Sequence, residues 1–184
     1  MKILDNIRAL FSSRDRSEGT EGSVALIDGQ SMTRSPGSDR SAPPRDRIAL
    51  LNRLASFAEK EHITVIVLFN GSPLRIAGDN DKYRGVVVRY TGEGGDMAES
   101  MLRILKEDGI GKKAVVITSD QDIDRAVSAA GAQVMFASTF RRAVEAAEPH
   151  VPPHNPRSQD TRSHTKPVEQ DDSDRIVKEL IDPL

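Results

Sequence analysis

Five aspartates carry the chemistry this sequence offers. Asp28 follows the apolar run Val24–Ile27, Asp96 follows a glycine-rich turn, and Asp120, Asp122 and Asp124 follow the β-branched run Val115–Thr118. An acid at the end of an apolar run and ahead of a helical pattern has two readings. It can cap the helix by accepting amide hydrogen bonds, or it can join other acids in holding a hard divalent cation. Judged singly, capping is the better reading for Asp96 and Asp120. Asp28 stands before Gly29 and a long Ser/Pro/Arg-rich stretch to Pro44, with no helix expected directly after it, so it is the leading metal-binding candidate. Asp124 lies one turn beyond Asp120 and shares its face, while Asp122 points elsewhere. Glu93, in a flexible turn, is a weaker candidate than Asp96.

The elements that must position these acids are legible from apolar patterning. Short strands are expected at 23–27, 63–69, 86–90, 114–118 and 133–137, apolar on both faces as a covered parallel sheet requires. Helical spacing alternates with them at 46–60, 96–108, 123–130 and 139–148. Strands alternating with helices imply a three-layer α/β domain with a central parallel five-stranded sheet over residues 23–148. In such a sheet, sites form beyond the carboxyl ends of the strands. Asp28, Asp96 and Asp120, with Asp122 or Asp124 behind, therefore belong to one edge, where their mutual repulsion calls for Mg²⁺ or Mn²⁺. The chemistry implied is hydrolysis of a phosphodiester, with the ion activating water and offsetting charge on the leaving oxygen.

Composition narrows the field. The chain has 184 residues, 37% hydrophobic, enough for one domain and its core. Net charge is −2, so no global basic field announces nucleic acid. Cysteine is absent, which excludes disulfides, zinc–thiolate sites and thiol nucleophiles. No secretory signal begins the chain, and no stretch approaches the roughly 18 apolar residues of a membrane span, so a cytoplasmic protein is expected. Residues 1–22 read as a short amphipathic helix and a linker, the helix packing on its own domain in preference to a partner. Residues 149–184 read as a disordered tail with a short helical segment at 175–181, either a peptide for a protein partner or a piece that folds back.

Four blocks, "VALIDGQS" (24–31), "VIVLFNGSP" (65–73), "VRYTGEGGDMAESML" (88–102) and "VVITSDQDIDRAVSAAGAQVM" (115–135), resemble the YacP-like NYN domains of the PIN-like nuclease superfamily. The resemblance implies a Rossmann-like fold that cleaves RNA with Mg²⁺ or Mn²⁺. It assigns catalytic and metal-binding roles to Asp28, Asp96 and Asp120, with Asp122 or Asp124 in support. Three departures stand out: Ser31 replaces the asparagine of Asp-Gly-x-Asn, Asn70 replaces an acid after the second strand, and Gly95 replaces the first of two acids. Each removes a ligand or a charge. RNA would be gripped by loop cations, among them Arg34, Arg45, Arg75 and Arg84, with Arg40, Arg47, Lys82 and Arg89 as further candidates. Aromatics are only 4% of residues, so stacking platforms are scarce.

Two functions follow from different classes. One is a metal-dependent endoribonuclease; the other is a catalytically impaired RNA- or protein-binding module that keeps the fold. A phosphatase or Toprim-like reading of "SDQD" lacks the expected companion acids and is set aside.

Overall fold

Residues that alternate across a strand must satisfy two faces at once, and here both faces are apolar. In the computed structural model, β1 (Val24–Asp28), β2 (Thr64–Phe69) and β5 (Ala114–Thr118) are buried along nearly their whole length. Ala25, Ile27, Val65, Val67, Val115 and Ile117 join one core cluster, and Val24, Leu26, Ile66, Leu68, Ala114 and Val116 the other. The strict alternation is the period of two expected of extended chain, and helices must cover both sides.

The structure describes residues 2–12, 24–33, 42–107, 109–111 and 113–148, all within one compact unit, Met1–Pro149. The expected linker, the loop residues 34–41 with Arg34 and Arg40, and the tail with its short helical segment lie outside the described residues.

Six strands form the sheet in the order β3-β4-β2-β1-β5-β6. β4 is Val86–Tyr90 and β6 is Gln133–Phe136. All pairings are parallel except that of β3 (Asp81–Tyr83), an antiparallel edge strand absent from the expected five. Its hairpin turns on Arg84 and Gly85, both with positive φ (48° and 89°) as a tight two-residue connection requires. The chain runs from β1 to β2 on one side of the sheet and later returns to β5 on the other. The topological switch point is therefore between β1 and β5.

α3 (Pro44–Glu61) begins with a proline at its first turn and ends at His62, whose left-handed backbone (φ 53°) donates its N–H to Ala58. With α6 (Ala137–Ala147) it covers one face, where Phe57 and Phe140 meet edge to face at 5.2 Å. α4 (Met97–Glu107) and α5 (Gln121–Ala129) cover the other through Met101, Ile104, Leu105, Ile123 and Val127. Among the described residues, no helix is long and apolar enough to cross a membrane.

α1 (Lys2–Ser12) docks on α6, burying Ile7 and Phe11, so the expectation that it packs on its own domain holds. Arg8 also ties α1 to the end of α3, donating from Nε and Nη2 to the Glu61 carboxylate at 2.6 and 3.0 Å. These hydrogen bonds hold the Glu61 carboxyl below its usual range, against the opposing pull of burial. The stabilisation is therefore complete above the ordinary carboxylate value, about pH 4, and is lost as pH falls through the lowered one. Urea midpoints of the wild type and Glu61→Gln should accordingly differ at neutral pH and converge under strong acid; a gap that persists there would remove the ion pair from the account.

Candidate functional site

Where β1 ends, the chain turns at once into α2, a five-residue helix (Gly29–Thr33) not expected from the sequence. A side chain on Gly29 would drive its Cβ into the Phe69 ring, so only glycine lets this turn lie against β2. Asp28 is 2% exposed, and its Oδ1 accepts from the amides of Gln30 and Ser31 at 2.9 and 3.2 Å. That is an N-cap. The expectation that Asp28 has no helix to cap is thus corrected: the helix exists, and the carboxylate satisfies its first free amides.

The other oxygen is equally occupied. Asp28 Oδ2 accepts from the hydroxyls of Ser31 and, at 2.9 Å, Thr118 at the end of β5. Both hydroxyls then accept from the next backbone: Ser31 Oγ from the Ser119 amide and Thr118 Oγ1 from the Asp120 amide, each at 3.0 Å. One carboxylate thereby ties the ends of β1 and β5 together across the switch point. Arg141 on α6 adds a further tie, donating to the carbonyls of Ser31 and Met32 at 2.9 and 3.2 Å.

Two of the remaining acids also spend oxygens on helix starts. Asp96 Oδ1 accepts from Glu99 N at 2.7 Å at the start of α4. Asp120 Oδ1 accepts from the amides of Asp122 and Ile123 at 2.8 and 3.2 Å and N-caps α5. Asp124 is half-buried and accepts from the Ser128 hydroxyl at 3.0 Å. Asp122 is exposed and paired with Arg125 at 3.1 Å, facing solvent as expected. Glu93 accepts from Ser72 at 3.1 Å.

The expected cluster is not assembled. Among the described residues, no three His, Cys, Asp or Glu side chains are placed to hold one metal ion. The physical reason is local: Asp28, Asp96 and Asp120 answer to the amides of three separate helices. The donors present therefore do not fit a cage of three carboxylates. Two buried side-chain oxygens have no hydrogen-bond partner among the described residues: Gln133 Oε1 at the start of β6 and, on the carboxyl side, Asn70 Oδ1 beyond the end of β2.

The cations divide likewise. Arg45, in the first turn of α3, and Arg75, after β2, are exposed at the carboxyl edge. Arg84 is not there. Its hairpin precedes β4, which runs parallel to β2, so it lies at the amino edge, donating to Asn52 at 3.3 Å. Arg47 is buried, its guanidinium 5.7 Å from the Phe69 ring and bound to the carbonyls of Ala42 and Ser72. Arg89 is engaged with Asp79 and Glu107. Thr118 and Arg141 were not among the candidates read from sequence. The available signal for Thr118 was a hydroxyl at the last, buried position of a central strand; Arg141 had none short of knowing how α6 docks.

Beside Asp120 a cavity of about 430 Å³ opens between β5, α5 and β6, lined by Thr118, Asp120, Asp124, Arg125 and Phe136 among others.

With this geometry in place, the chain can be set beside known proteins. The YacP-like NYN domain family matches residues 34–182. Two crystal structures of Rae1 (YacP) from Bacillus subtilis share its fold. One is 23% identical, covers 67% of this chain and 74% of its own, and superposes with a TM-score of 0.56. The other, a tryptophan-to-leucine mutant of the same protein, is 24% identical, with 68% and 76% covered and a TM-score of 0.53. No curated protein matches the sequence.

The hydroxyl relay can be tested directly. Thr118→Val removes a donor to Asp28 and an acceptor for Asp120 N, and should cost about 1–3 kcal/mol by leaving buried groups unpaired. Asp96→Ala removes only an exposed cap and should cost about 0.5–2 kcal/mol. Ser31→Ala combined with Thr118→Val should lose less than the sum of the singles, since both serve one oxygen. Strict additivity in urea denaturation would show that the two hydroxyls act independently.

Proposed function

The chain belongs to the YacP-like NYN domain family, whose members are nuclease-type, RNA-acting domains, and we propose that it binds RNA across the carboxyl edge of its sheet. The observation that carries this reading is the engagement of Asp28, Asp96 and Asp120 as helix caps, which keeps the fold of a nuclease while its acids serve the backbone. RNA would be held by its phosphates, through Arg45 and Arg75; Arg34, also expected from the sequence to grip RNA, lies outside the described residues. Such contacts give affinity without reading sequence. Arg84, at the opposite edge, is left out of this interface. The terminal segments remain candidates for a protein partner, and the cytoplasm is the expected setting.

A second reading is favoured by Asn70, whose oxygen is buried with no hydrogen-bond partner among the described residues. It makes the chain an endoribonuclease using Mg²⁺ or Mn²⁺, with Asp28, Asp96, Asp120 and Asp124 as the working acids, Asp122 outermost, and Ser31 and Asn70 in support. For this to happen, carboxylates now accepting amide and hydroxyl hydrogen bonds must exchange those partners for the ion.

Fluorescence anisotropy with a labelled single-stranded RNA, in EDTA and in Mn²⁺, separates the two. Binding in EDTA, weakened by salt, with the salt slope reduced by about one in Arg75→Ala, is the expected result. Absence of binding at low salt would overturn it. Cleavage that appears only with Mn²⁺ or Mg²⁺ and disappears in Asp120→Asn and Asp124→Asn would establish the second reading in its place.

A further inference from the structure

Phe136 is 65% exposed, one of only two large hydrophobic residues that stand open among the described residues. It is the last residue of β6, directly beside Thr118 in the parallel register of β5 and β6. Thr118 is the residue whose hydroxyl binds Asp28. The exposed aromatic residue thus sits on the strand next to the hydroxyl relay, its backbone about 5 Å from that of Thr118. The next residue, Ala137, starts α6 and is fully buried, which fixes the backbone that carries the ring.

The cavity beside this ring has the size of a small-ligand site, about 300–1,000 Å³ by general experience, at about 430 Å³ here. Its other walls are chemically selective. Asp120 and Asp124 present carboxylate oxygens, which repel phosphate and accept hydrogen bonds from N–H groups. Arg125 borders the same space. An occupant must therefore offer a flat apolar face to Phe136 and amino or imino donors to the carboxylates, while any phosphate stays outside. An unpaired nucleobase meets each demand.

We propose that this cavity receives one unstacked RNA base, seated on Phe136 and hydrogen-bonded through its amino edge to Asp120 or Asp124. The proposal rests on the reading that RNA lies across the carboxyl edge. It goes beyond that reading by adding base recognition to phosphate contact. Bases with an exocyclic amine, adenine, cytosine and guanine, are favoured over uracil, which lacks one. Stacking on Phe136 also supplies the aromatic platform that a chain so poor in aromatics otherwise lacks.

The chain contains no tryptophan, so Phe136→Trp installs a single indole reporter at the proposed stacking face. The probes are a ten-nucleotide single-stranded RNA of adenine and cytosine and a ribose–phosphate chain of the same length without bases. Titration of Phe136→Trp with the base-bearing RNA should quench its emission, and the baseless chain should not. Phe136→Ala should weaken binding of the base-bearing RNA by about five- to a hundredfold, as loss of one base–aromatic stack does. It should leave binding of the baseless chain unchanged, while Phe136→Tyr restores the wild-type affinity. Far-UV circular dichroism of the variants checks that the exposed substitution leaves the fold intact. RNA that binds wild type and Phe136→Ala equally, with no indole quenching, overturns the base pocket and leaves the edge-binding reading standing. Wild-type protein that binds neither probe overturns both.

Discussion

Where a strand of a covered parallel sheet runs on into a helix, the helix's first amides have no partner within it. At three such starts in this protein, those of α2, α4 and α5, carboxylates meet that demand. Asp28 serves α2, Asp96 serves α4 and Asp120 serves α5, each through hydrogen bonds from amides two or three residues ahead. Such caps contribute about 0.5–2 kcal/mol apiece, and the partly positive helix start adds to this. The acids are concentrated on one edge because the helix starts are. Their distribution follows from topology before any ligand is considered.

Asp28 differs from the others in depth. It is buried, and the two hydroxyls that complete its coordination come from opposite sides of the switch point, Ser31 after β1 and Thr118 on β5. Ser31 is shorter than the asparagine that the family resemblance would place there, and its hydroxyl both donates to Asp28 and accepts from Ser119. Gly95 has a comparable steric logic. A Cβ there would collide with the Thr91 carbonyl oxygen, so the turn between β4 and α4 has no room for the acid that the family resemblance would place at 95. At Gly95 the departure from the family pattern is tied to close backbone packing, and at Ser31 to the hydroxyl's two hydrogen bonds.

The alternation of strands and helices was readable because both-face burial leaves an unbroken apolar run and helices repeat every three to four residues; the membership in a family of nuclease-type domains was readable from four blocks in order. Elements too short to show a period escaped. α2 spans five residues and β3 three, and β3 is closed by Arg84-Gly85, a weaker turn signal than Asn-Gly. Missing α2 is what made Asp28 look uncapped. Missing β3 is what misplaced Arg84, since a hairpin reverses the chain and carries its tip to the far edge. Arg47 and Phe136 show the same limit in opposite directions: one charged residue proved buried against an aromatic ring, and one aromatic residue proved open to solvent. Linear sequence gives residue types and spacing, whereas burial depends on which helix lies over which strand.

These constraints set the terms on which chemistry could be added. An ion recruited to Asp28 must compete with four donors already satisfied in a water-poor environment, and stripping them would leave two backbone amides and two hydroxyls unpaired. Asp120 and Asp124 face a lower barrier, since Asp120 is exposed and Asp124 only half-buried, each with oxygen capacity beyond the hydrogen bonds it accepts. The reactive potential of the edge is therefore displaced from its buried centre toward β5 and β6, where the cavity and Phe136 also lie. Asn70, with a buried oxygen lacking a partner among the described residues, marks the opposite flank beyond β2. A ligand that engages both flanks must span the capped Asp28 between them, and an extended polymer does this more readily than a compact metabolite.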